Sequence, residues 1–270
     1  MSEIMYDHSS LYIVSILLIS LIVGSEVGFR IGKLFHKATD EPTKNQISSI
    51  QASILGVLAL LLGFTFSLAL QRYDTRSEAV INEANAIGTT MLRAALLPES
   101  VREETQALIR DYLELRVQAG EISFDRIEER AAIVANSDLV LEKLWANARQ
   151  AASESPNPVT TGLFIQALNE QIDAFGSRDA ALARHVPEPV LFLLFGTLIM
   201  TAALVGYSSG VTGHRAAIAA YILLSLIVLL VFLVIDLDRP RRGLIEVSQQ
   251  GLVDLQSHIL FVGSEVGQSR

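Results

Sequence analysis

Cysteine does not occur anywhere in the 270 residues, which excludes disulfides, thiolate metal centres and cysteine nucleophiles. The five histidines, His8, His36, His185, His214 and His258, are scattered along the chain. No metal site and no cofactor is expected from them. Charge is sparse as well: Asp, Glu, Lys and Arg make up 19% of the residues, against roughly 25% in an average soluble domain. The charged middle of the chain has no run of strand-type alternation.

What is present is apolar. Half the residues are hydrophobic and the mean hydropathy is +0.40, the composition of a membrane protein. Four stretches reach the roughly 20 residues needed to cross a ~30 Å hydrocarbon layer: Leu11 to Phe29, Ala52 to Leu70, Pro189 to Tyr207 and Ala216 to Ile235. The last three carry no charge. The first is too long for a signal-peptide core, and its amino flank holds Glu3 and Asp7 instead of Lys or Arg, so it is read as a retained anchor.

Between the second and third runs, Arg72 to Val186 contains 18 acidic and 12 basic residues, a net charge of −6. Phosphate backbones would be repelled, so nucleic acid is not an expected partner. The periodicity here is helical: Val80, Ala84, Ile87 and Met91 share one stripe, while Glu78, Asn82, Asn85 and Thr89 share another. No Gly or Pro interrupts Leu70 to Ala86, so the second span should leave the membrane as one long helix. Further helices are expected after Leu97, over Phe124 to Ala152 and over Thr160 to about Arg184. Pro187 and Pro189 suit the start of the third span.

These readings combine into an all-α integral membrane protein: four transmembrane helices in two hairpins, with an extramembrane helical bundle between spans 2 and 3. Residues 1–50 hold an N-terminal tail, the first span and a loop, and 51–71 the second span. Residues 72–186 form the acidic helical domain, 187–236 the third and fourth spans, and 237–270 a polar C-terminal tail.

Ser20, Gly24, Gly28 and Gly32 recur at i, i+4 and form a ridge of small residues on the first helix, with Gly56 and Gly63 on the second. Such ridges let helices approach closely in lipid. Leu17 is expected to face lipid. Glu26 lies about 200° round from Gly24, one turn before Arg30, and the two suit an interfacial ion pair. Asp236 and Asp238 fall at the carboxyl end of the fourth span, the negative pole of its dipole, where acids are disfavoured. An interfacial cluster of Arg72, Arg76, Asp236, Asp238 and Arg239 is the expected compensation.

Two motifs carry no chemistry. "GYSSG", Gly206 to Gly210, fits a hydrolase nucleophile elbow, but it is placed as a joint between two apolar helices and not in an α/β sheet. "VGSEVG" at 262–267 repeats an earlier hexapeptide in a different context, which makes coincidence the better account. No catalytic constellation is found, and an enzyme is not expected.

"EVGFRIG", "FSLALQRYDTRSEAVINEANAIGTTMLRAALLP", "LNEQIDAFGSRDAALARHVPEPV" and "DLDRPRRGLIEVSQQ", in that order, resemble the bacterial bestrophin-like-domain family of membrane proteins, from about Val23 to Gln250. The shared order of two spans, a helical domain, two spans and a tail links that family to bestrophins, which are pentameric anion channels. The resemblance implies a homo-oligomer in the lipid bilayer that passes inorganic anions, with the second helix lining the pore. Leu60, Phe64 and Leu68, at i, i+4 and i+8, would then be a hydrophobic constriction. The chain departs from bestrophins in two places. "QRYDTRSE" lacks a Trp pair, and only Asp236 and Asp238 stand where an acidic calcium-binding run would follow the fourth span, so calcium gating is not implied. The alternative function is a non-conducting membrane scaffold or sensor whose helical domain binds a partner.

Sidedness is nearly balanced. Arg72, Arg76, Arg178, Arg184, Arg239, Arg241 and Arg242 flank the spans on the side of the termini and helical domain; Arg30, Lys33, Lys37, Lys44 and Arg215 flank the other. The first helix alone argues the opposite way, its amino flank acidic and its carboxyl flank basic, while the count and the resemblance favour the domain and termini on the cytoplasmic side of the inner membrane.

Overall fold

The computed structural model describes residues 8–122, 126–215, 218–239 and 244–268. Among them are eight α-helices and no strand: α1 (Ser10–Phe35), α2 (Glu41–Ala94), α3 (Glu99–Glu121), α4 (Ile127–Glu154), α5 (Thr161–Ala183), α6 (Glu188–Thr212), α7 (Ile218–Asp238) and α8 (Gln250–Gln268). Four of them, α1, α2, α6 and α7, are long and apolar enough to cross a membrane by length and composition. The all-helical architecture with four membrane-length helices is the one the sequence predicts.

The chain divides into two compact units, Met1–Arg72 with His185–Ile245 and Tyr73–Arg184 with Glu246–Arg270. The first is organised by α1 and α6. The hydroxyl of Ser9 starts α1 by accepting from the Tyr12 N–H at 3.3 Å. Pro187 and Pro189 open α6. Gly213, with φ of 79°, closes it in the left-handed conformation that a Cβ disfavours.

Gly24, Gly28 and Gly32 of α1 meet the backbone of Ile199, Ala203 and Tyr207 of α6 in turn, and Gly206 and Gly210 of α6 meet Ser25 and Phe29 of α1. Both numberings rise together, so the two helices run parallel. A Cβ at Gly28 would collide with the Ala203 carbonyl, and one at Gly206 with that of Ser25. Backbones this close replace the hydrophobic effect, which lipid does not supply, with van der Waals contact. Ser20 is on the rim of this seam, its hydroxyl donating to Ile16 O at 2.8 Å. Leu17, expected to face lipid, is instead 1% exposed, because it continues the buried row Ile13, Leu17, Leu21 towards the glycines. "GYSSG" does not join helices either: all five residues lie inside α6, where its glycines serve packing.

The second unit packs α3, α4, α5, α8 and the carboxyl half of α2 around Val80, Ile87, Ile109, Leu144, Phe164 and Leu168. The stripe Val80, Ala84, Ile87 is buried and Met91 packs against it, while Glu78, Asn82 and Asn85 are exposed. Phe124, the expected start of the next helix, lies outside the described residues; the helix runs from Ile127 to Glu154. The stretch read as a polar tail is helical from Gln250, with Leu252 fully buried in this unit. Leu255 and Ile259, at helical spacing from Leu252, pack against the same core, while Leu260 and Phe261 are exposed. The side chains of the "VGSEVG" repeat lie outside the described residues.

Candidate functional site

Between Ala52 and Leu70, α2 presents two different faces. Leu58, Leu62, Thr65 and Ala69 form a narrow buried stripe. Opposite them, Leu60 and Phe64 are 58% and 60% exposed and Leu68 is 38% exposed, although all are large apolar side chains. A Cβ on Gly56 or Gly63 would meet nothing within 4 Å. At 100° per residue, Gly56, Leu60, Gly63 and Phe64 share one face about 100° wide. No carboxylate occurs on α2 between Glu41 and Asp74, and Lys44 and Arg72 flank the run.

Both units carry charged positions. In the first, Arg30 Nε donates to Glu26 Oε1 at 2.9 Å, one turn along α1, with the side chains 77% and 39% exposed. The Asp238 carboxylate accepts from the Val186 N–H at 2.9 and 3.1 Å, just before α6. Asp236 Oδ2 accepts from the Leu244 and Ile245 N–H groups at 2.8 and 2.9 Å. Backbone donors thus meet both acids where the helix dipole opposes them. Arg72 is half-buried and Arg239 buried. Arg241 and Arg242 lie outside the described residues. In the second unit Arg76, 1% exposed, donates to the carbonyls of Ala181 (3.3 Å) and Arg184 (2.6 Å), closing the end of α5.

Sequence reasoning missed the most concentrated polar cluster, inside the second unit. Glu83 of α2 has no exposure. Arg116 of α3 donates to its Oε1 at 2.6 Å, Arg178 of α5 donates to its Oε2, and Tyr112 donates its phenol at 3.0 Å. The Arg116 guanidinium lies 4.7 Å from the centroid of Phe175, which meets Tyr112 edge-on. Arg178 also donates to Gln249 Oε1 at 2.7 Å, tying in the segment that leads to α8.

Burial pushes the Glu83 carboxyl up, but the two guanidiniums pull harder and hold it below its ordinary value. Burial, then the Glu83 charge, pushes the Tyr112 phenol well above its own. The detectable signal was spacing. Glu83 follows Val80 at i+3, Arg116 follows Ile109 and Tyr112 at i+7 and i+4, and Arg178 follows Phe164, Leu168 and Gln171 on the inner face of α5. Each charge occupies an apolar-face position of its helix.

A helical membrane protein with four apolar helices and a separately packed helical unit is the class these features define. The chain belongs to the Bestrophin-like domain family, whose model matches residues 18–252. No protein of curated function matches the sequence. Among solved structures it is similar to a bacterial bestrophin homolog from Klebsiella pneumoniae with a tryptophan-to-alanine mutation, at 15% identity and a TM-score of 0.66, over 93% of this chain and 99% of that one. A form of the Klebsiella homolog with an isoleucine-to-threonine mutation matches at 15% identity and 0.61, over 89% and 99%. A membrane protein with a proline-to-alanine mutation matches at 15% and 0.64, over 93% and 97%. At such identity the likeness establishes the fold.

Proposed function

We propose that this protein is a homo-oligomeric ion channel of the bacterial inner membrane whose pore is lined by the α2 helix of each copy. The observation that carries this reading is the uncovered face of α2. A helix held by one narrow stripe leaves Gly56, Leu60, Gly63 and Phe64 without protein cover in a single chain. Symmetry-related copies would bring these faces together around an axis. Leu60, Phe64 and Leu68 then form stacked apolar rings that gate by dewetting.

Inorganic anions are the permeant class. No carboxylate on the spanning part of α2 would attract cations, and Lys44 and Arg72 stand at its two ends. The acidic helical unit is extramembrane and faces the cytoplasm in this reading. Catalysis plays no part in it.

A second reading, a non-conducting scaffold, is favoured by the absence of any charged side chain from Gln51 to Gln71; the α2 faces would then pack dry. The two are separated by purified protein in lipid vesicles under an anion gradient. Dissipation of the gradient, faster in Phe64→Ala, supports the channel. A gradient that persists in both proteins supports the scaffold.

A further inference from the structure

Where α1, α6 and α7 converge, a cleft of about 220 Å³ opens beside the α6–α7 connection. Its walls are apolar, with Ile22 from α1 and Leu224 from α7. Its rim is not. Arg215, in the short connection between the two helices, lays its guanidinium over the Phe29 ring at 5.5 Å. Stacking uses only the face of the guanidinium, and none of its N–H groups reaches an acceptor among the described residues. Across the cleft, Glu26 Oε1 accepts from Arg30 at 2.9 Å, while Oε2 accepts no hydrogen bond among the described residues. The Ser25 hydroxyl lines the same rim without a partner among the described residues. Tyr221, half exposed near the start of α7, stands at the mouth, the amphipathic ring common at a membrane–water boundary.

The cleft therefore offers a row of unused donors, one unused carboxylate oxygen a short way off, and an apolar slot between helices. It is smaller than the roughly 300–1,000 Å³ of sites that enclose a whole small molecule, and it opens beside helices long enough to span a bilayer. We propose that it binds the headgroup of a phospholipid carrying a primary ammonium, phosphatidylethanolamine, in the leaflet on the side of the α6–α7 connection. The phosphate accepts from Arg215 and Ser25, the ammonium donates to Glu26 Oε2, and the first carbons of one acyl chain lie along Ile22 and Leu224.

Charge chooses among headgroups. Phosphatidylglycerol would satisfy Arg215, but its neutral glycerol hydroxyls offer Glu26 Oε2 a weaker hydrogen bond than an ammonium does. Phosphatidylcholine carries the right charges, but its trimethylammonium has no N–H to give. Free phosphate would leave the apolar slot unfilled. The site does not depend on whether the protein conducts.

The test is native mass spectrometry of the detergent-solubilised full chain, titrated with the three phospholipids bearing identical acyl chains. Wild type should retain phosphatidylethanolamine about tenfold better than either of the others, the scale of one charge-assisted hydrogen bond. Glu26→Gln should bring phosphatidylethanolamine and phosphatidylcholine to equal retention, and Arg215→Gln should weaken both. Arg215→Lys, which keeps the charge, should keep most of the binding. Arg215 is exposed, so its variants report even if Glu26→Gln fails to fold. Equal retention of all three lipids by wild type, preference for phosphatidylglycerol, or Arg215→Gln without effect would overturn the assignment.

Discussion

Arg116 Nε and Glu83 Oε1 lie 2.6 Å apart with both side chains almost wholly buried, although 33 positions separate them in the chain. Glu83 also receives Arg178, so a single carboxylate holds α3 and α5 to α2 and, through Arg178 and Gln249, holds the segment leading to α8. Two cations share one anion, and the remaining positive charge is met by the Phe175 ring and the Gln249 carbonyl. The cluster acts as a lock on helix register, because a shift of α3 or α5 would leave buried charges without these partners.

Glu83→Gln should therefore be severe. It leaves two guanidiniums buried without a counter-charge, at a cost of about 3–5 kcal/mol. The midpoint of thermal unfolding in detergent should fall by on the order of 10 °C. Replacing Glu83, Arg116 and Arg178 together by Leu, Met and Met should cost far less, since no charge is stranded. A Glu83→Gln midpoint unchanged from wild type would contradict the lock.

Acid should open the same cluster. The folded-state carboxyl of Glu83 titrates below its ordinary 4.5. Its contribution to stability is thus complete above that value and is lost as pH falls through the lower, folded value. Hydrogen exchange of the α3 and α5 amides, taken relative to their intrinsic rates, should rise on acidification below about 4.5 in wild type, and in Glu83→Gln should already be fast at neutral pH. Identical acid profiles for the two proteins would show that another group controls the transition.

The glycine seam predicts a steep dependence on size. Gly28→Ala places a methyl against the Ala203 carbonyl and should lower the yield of folded protein in detergent, with Gly28→Leu abolishing it. Ile19→Ala, on a side chain 60% exposed, should change little. Similar yields for Gly28→Leu and Ile19→Ala would remove the seam from the account.

Much of this fold was legible in the sequence. Long uncharged runs report membrane helices because bilayer thickness fixes their length, and the stripe Val80, Ala84, Ile87 reports a buried face because 3.6 residues complete a turn. Gly24, Gly28 and Gly32 announced a close approach by spacing, but not its partner, because Ile199, Ala203 and Tyr207 carry no complementary sign in their side chains; the contact is with their backbone. Asp236 and Asp238 were visible as anomalies. That backbone N–H groups of Val186, Leu244 and Ile245 receive them was not, since any residue but proline supplies such a donor. Glu83 was hidden by its neighbours Asn82 and Asn85, which are exposed, and its partners come from two other helices.

Sidedness also has a direct test, with one constraint from the fold. A reporter inserted after Gln250 would cut into the first turn of α8, where Leu252 is buried, so the fusion belongs after Arg270. A reporter active only in the cytoplasm should work there and stay silent when inserted at Lys37. The opposite pattern would place the helical unit outside the cytoplasm.

Whether the α2 face bearing Phe64 lines an anion pore can be tested cleanly, because the native chain lacks cysteine. Vesicles containing Phe64→Cys are treated with a negatively charged methanethiosulfonate while anion efflux is followed. Efflux is expected from both proteins, with the reagent changing it several-fold in Phe64→Cys and leaving wild type untouched. No efflux from either protein, or efflux through Phe64→Cys that the reagent modifies chemically without altering, would contradict it.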